Sequence, residues 1–95
     1  MRPDHGGRLE LKLVDASDAR ANYVLTLFTP ESEICAQVVI DAPADSLELS
    51  DWQGGTPPVW LSGYAHALLR SVLRTRASDG GWPRRLTRWR PAPKA

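Results

Sequence analysis

The stretch of this chain best equipped for chemistry is Trp82-Pro83-Arg84-Arg85-Leu86-Thr87-Arg88-Trp89-Arg90, where four arginines interleave with two tryptophans. A guanidinium is planar, carries a fork of donors and stacks on aromatic rings, so this mixture suits phosphates, nucleobases and acidic protein surfaces. A second row, His66, Arg70 and Arg74, is spaced by four. On a helix that spacing puts all three on one face, where they could receive phosphate or carboxylate groups. Arg70, Arg74, Arg84, Arg85, Arg88 and Arg90 therefore form the candidate anion- or partner-binding set. Each part has a plainer alternative. The His66 row could be an ordinary solvated helix face. In the arginine-rich stretch, Trp82, Leu86 and Trp89 are spaced 4 and 3 apart, which places them on one face of a short helix pinned to the core. Its arginines would then splay outward or pair with acids elsewhere.

Little points to catalysis. Cys35, the single cysteine, sits between Ile34 and Ala36 and reads as a small packing residue rather than a nucleophile. One cysteine also means no intrachain disulfide and no cysteine-only zinc site. His5 lies in a loose N-terminal segment. No HExxH, GxSxG, P-loop or GxGxxG pattern occurs, and the three Gly-Gly pairs read as loop punctuation. Glu48 and Asp51 near Trp52 suit caps or arginine partners better than a carboxylate site. The expectation is a non-enzyme with no metal and no cofactor.

These residues must be positioned by elements that the hydrophobic pattern outlines. Leu9-Glu10-Leu11-Lys12-Leu13-Val14 alternates apolar and charged, the period of a half-buried strand with Leu9, Leu11 and Leu13 inward. Tyr23–Thr29 and Ile34–Ile40 are rich in β-branched and aromatic residues and predict two more strands, joined by a turn at Pro30. Residues 41–55 are ambiguous. Leu47-Glu48-Leu49 favours a short fourth strand, while Asp45 and Glu48 have the spacing of a capping box. Thr56-Pro57-Pro58 starts a helix, whose stripe Leu61, Ala65, Leu68 and Val72 is widened by Trp60, Tyr64, Leu69 and Leu73. Asp79-Gly80-Gly81 ends it. Strands first and helices after predict a two-layer α+β domain. It comprises a three- to four-stranded antiparallel meander, a long amphipathic helix and a short C-terminal helix. The domain is expected over 9–90, with tails at 1–8 and 91–95.

At 95 residues the chain holds one domain. Its formal net charge of +1 excludes a strongly basic nucleic-acid binder and an acidic tail, but the total conceals a split. Residues 1–51 carry four cations against ten acids, a net −6, and residues 52–95 carry eight cations against one acid, a net +7. Such asymmetry points to binding, unless the two halves neutralise each other inside the fold. Val24 and Phe28 oppose Leu25 and Leu27 in parity, as Val39 opposes Val38 and Ile40, so apolar surface is expected on the sheet face that lacks a helix as well. No apolar run spans a bilayer and no secretory leader is recognisable, so the expectation is a cytoplasmic protein without a membrane partner. The function expected is a small protein-interaction module, with a protein partner or a second copy as its target. The alternative is a nucleic-acid-binding domain contacting phosphates through the C-terminal arginines.

Overall fold

The computed structural model describes residues 3–79 and 81–93. Five strands and one helix follow the chain order β1 (Gly7–Ala16), β2 (Arg20–Phe28), β3 (Glu33–Asp41), β4 (Ser46–Leu49), α1 (Val59–Asp79) and β5 (Arg85–Arg90). The strands form one antiparallel sheet ordered β4-β3-β2-β1-β5. Consecutive hairpins lay down β1 to β4, and α1 then recrosses the sheet to deliver β5 beside β1.

Local chemistry sets each turn. In the β2–β3 turn the Thr29 amide donates to the Ser32 carbonyl, and the Ser32 amide donates to Thr29 Oγ1; Pro30 presets the intervening φ. Ala42–Asp45 form the β3–β4 turn, with the Ala44 amide donating to the Asp41 carboxylate at 3.2 Å. Residues 46–49 are thus a strand rather than a helical turn. The Pro58 carbonyl accepts from the amides of Leu61 and Ser62, which starts α1 at the expected proline pair.

Alternation of period two points Leu9, Leu11, Tyr23, Leu25, Leu27, Ile34, Val38 and Ile40 at the helix, which answers with Leu61, Ala65, Leu68, Leu69 and Val72. The expected stripe is the buried one. Leu69 is fully buried within it, while Tyr64 on its margin is exposed. The far side of α1 meets nothing at Gly63, where an added Cβ would touch no atom within 4 Å. Gly63→Ala should therefore stabilise the protein by about 0.5–1 kcal/mol, because alanine loses less backbone entropy in a helix interior. Urea titration checks this, and an unchanged or lower midpoint would contradict it.

The C-terminal segment departs from expectation. Residues 85–90 are a fifth strand, not a short helix. Leu86 lies opposite Leu11 on the helix side, while Trp89 points to the other side and is 44% exposed. A one-faced Trp82, Leu86 and Trp89 set therefore does not exist. The 4-and-3 spacing matched a helix, but β1 presents an unpaired edge, and backbone pairing along six residues outweighs a pattern of three side chains. The N-terminal boundary moves too. Gly7 and Arg8 pair with β5, so the sheet begins two residues before the expected domain start. Residues 1, 2, 94 and 95 of the expected tails, and Gly80 of the expected helix stop, lie outside the described residues. Among the described residues no helix is long and apolar enough to cross a membrane.

Candidate functional site

With its one helix on one side, the sheet leaves its second face without a covering layer among the described residues. The same alternation that buries the leucines sends Arg8, Glu10 and Lys12 of β1 to that face. Asn22, Val24, Thr26 and Phe28 of β2 join them, with Glu33, Cys35, Gln37, Val39 and Asp41 of β3. The segment 41–55 does not fold over it: Gln53 bridges Cys35 and so prolongs the sheet sideways.

The register arranges these side chains in rows across the strands. Trp89, Arg8, Phe28 and Glu33 form one row; Thr87, Glu10, Thr26 and Cys35 the next; Arg85, Lys12, Val24 and Gln37 a third. Asn22, Val39 and Glu48 continue the series, and Asp15, beyond a bulge in β1, pairs with Asn22. Val24, Thr26, Cys35 and Val39 are half-buried. Phe28 is shielded by the Arg8 guanidinium, 5.8 Å above its ring. Trp89 closes a corner, its ring 5.4 Å from that of His5 and its Nε1 donating to the His5 carbonyl.

Glu10 is the electrostatic centre of the face. It is 8% exposed yet receives Arg85 at 3.1 Å, Lys12 at 3.3 Å and Arg8 at 3.7 Å. Burial alone would raise its pKa; the hydrogen bonds and charges of Arg85 and Lys12 outweigh this and hold it below the ordinary value. A carboxylate with a depressed folded pKa stabilises the fold above its unfolded pKa, and that contribution is lost as pH falls through the folded value. Wild type should therefore lose its stability advantage over Glu10→Gln as the pH drops below the ordinary glutamate value of 4.5. Paired urea titrations across pH read the gap directly, and a gap independent of pH would refute the assignment.

The six arginines expected to act together are dispersed. Arg70 and Arg74 stand exposed on the outer surface of α1 with His66. Arg85 lies on the open face with Glu10. By strand alternation Arg88 and Arg90 sit on the helix side of β5, where they line a groove with Tyr64, Ala67, Leu68 and Ser71. The Arg90 guanidinium lies 5.5 Å from the Tyr64 ring. Arg84 leads into β5, its carbonyl accepting from the Leu13 amide. Arg85 and Glu10 join the basic and acidic halves of the chain, whereas Arg8, Lys12 and Arg20 pair with acids of their own half. Among the described residues no ion pair involves Arg70, Arg74, Arg84, Arg88 or Arg90.

Cys35 lies half-buried on the open face rather than in the core. Its parity, shared with Gln37 and opposite to Ile34 and Ala36, was the signal. No group of three or more His, Cys, Asp or Glu among the described residues is arranged to hold a metal ion. Glu10 and Arg8 are not among the residues the sequence singles out: the expected tail takes in Arg8, and the alternation of β1 marks only Leu9, Leu11 and Leu13. The shared parity of Arg8, Glu10 and Lys12, two residues apart each way, is the available clue. No family model, curated protein or solved structure matches the chain.

Proposed function

We propose that this chain is a small non-enzymatic interaction module, working in the cytoplasm, whose recognition surface is the open face of the sheet. One observation carries the reading: a five-stranded sheet leaves half-buried Val24, Cys35 and Val39 on a face with no covering layer among the described residues, bordered by charge on both sides. Apolar surface rimmed by polar residues is characteristic of places where partners dock. Trp89 and Arg8, neighbours in one row, are of the residue types that most often anchor such contacts.

The test is site-specific photo-crosslinking in cells. A benzoylphenylalanine at Val24 or Val39 should give discrete protein adducts, and the same probe at Val59, exposed on α1, should not. Absence of adducts from both sheet positions, or equal labelling from Val59, contradicts the reading.

A second reading is nucleic-acid binding along β5, favoured by the lack of carboxylate partners for Arg84, Arg88 and Arg90 among the described residues. Phosphate contacts of this kind weaken steeply with salt. A mobility-shift titration decides it: binding absent at low salt, or indifferent to salt, removes this reading.

A further inference from the structure

We infer that the occupant of the open face is a second copy of this chain, paired about a two-fold axis that runs along β2. This rests on the open face being the recognition surface. The face is electrically polar from edge to edge. The β5–β1 side carries Arg8, Lys12 and Arg85 with Glu10 and Asp15; the β3–β4 side carries Glu33, Asp41 and Glu48 and no cation. Arg20, on β2 between them, pairs with Asp41.

Two identical sheets can meet face to face about a two-fold axis lying across the strands or along them. An axis across the strands sets β5 on β5 and β4 on β4, so like charge meets like. An axis along β2 sets β5 and β1 of one copy on β4 and β3 of the other. That second operation also keeps each row in its place. Arg8 then stands over Glu33 of the other copy, because both belong to the Phe28 row. Arg85, at the start of β5, stands over the end of β4, the strand that carries Glu48. Every such contact occurs twice. On the axis itself, Val24 and Thr26 meet their own counterparts, so the half-buried centre of the face is self-complementary. The strands of the two sheets remain roughly aligned, the common geometry of stacked sheets.

The edges of the sheet argue for the face. One edge, β5, carries Arg85, Arg88 and Arg90 with Arg84 just before it, and two such edges repel. The other, β4, is only four residues long. Charge and brevity are the usual means of closing sheet edges to pairing. Five strands about 4.8 Å apart make a face roughly 24 Å wide and on the order of 500 Å² in projection. That is below the ~800 Å² per partner of a standard stable interface, so association should be reversible and concentration-dependent.

Light scattering coupled to size exclusion, on the full chain from low to high micromolar concentration, should show the mass rise from one chain to two, more readily at low salt. Arg8→Glu should weaken the dimer by roughly 10- to 100-fold, because one reversed charge disrupts two contacts. Glu33→Arg should do the same; Glu33 is exposed, so this variant keeps the test valid if Arg8→Glu folds poorly. The two reversals combined should restore dimerisation. A chain that stays monomeric throughout, a dimer that Glu33→Arg does not weaken, a mass other than two chains, or co-eluting nucleic acid would overturn the inference. Cross-links from Val24 to a protein of different mass would then leave the recognition face standing without the second copy. Loss of those cross-links would remove both.

Discussion

Tyr23→Ala is expected to destabilise the protein by about 3–5 kcal/mol, the usual range for a fully buried aromatic. Tyr23 is 1% exposed and lies on β2, the central strand of the five, with Leu13 beside it on β1 and Val38 on β3. Its ring therefore supports both halves of the sheet. Its hydroxyl has a second task, donating to the Pro83 carbonyl at 2.8 Å. Pro83 lies two residues before β5, so this bond tethers the incoming edge strand to the sheet centre across 60 residues of sequence. Tyr23→Phe separates the two roles: the ring stays, a part-buried carbonyl loses its donor, and the cost should fall to about 1–3 kcal/mol. Burial pushes the Tyr23 pKa up to about 12. A folded pKa above the unfolded value means stability held below pH ~10 and surrendered as the pH climbs towards 12, and Tyr23→Phe should lack that alkaline loss. Equal costs for the two substitutions would show that the ring contributes nothing beyond the hydroxyl, and would contradict the packing described.

What could be read from the sequence follows from how much information a pattern carries. β1, β2 and β3 alternate over enough residues that period two has no rival, and α1 repeats its stripe from Leu61 to Val72, about three turns, between a proline pair and glycines. Both survive whatever lies around them. β5 is different. It has one inward apolar residue, Leu86, flanked by arginines that favour neither structure, and its fold is decided by the free edge of β1, which no local pattern records. Once β5 is a strand, its arginines must alternate sides. That is why a set adjacent in sequence ends on two faces, with Arg85 on Glu10 and Arg90 on Tyr64. The same pairing draws Arg8 from an expected tail into the sheet and completes the Glu10 cluster. The charge split was legible as a total, but its outcome was not. The basic half meets the acidic half on the open face only at Arg85, which reaches Glu10 because β1, from the acidic half, accepts β5, from the basic half, as its neighbour.

Leu61→Ala is expected to cost about 2–5 kcal/mol on its own, as for other fully buried leucines. It should cost less in a Gly7→Ala background. Leu61 is 0% exposed and sits in the first turn of α1. A Cβ added to Gly7, at the first position of β1, would lie 2.6 Å from one Leu61 methyl and 2.9 Å from the other. The helix thus approaches the sheet so closely at this corner that the absence of a side chain on Gly7 is what admits Leu61. Gly7→Ala alone forces overlap and should cost about 1–3 kcal/mol, the range for overpacking. With Leu61 shortened, the alanine methyl enters space the leucine has left, so the overlap and part of the cavity cancel. The double variant should therefore be more stable than the sum of the singles by about 1 kcal/mol or more, the coupling expected of residues in direct contact. Urea titration of all four proteins measures that term. Additive costs would mean that α1 does not seat on the start of β1, and Gly7 would then have no reason in packing to be glycine.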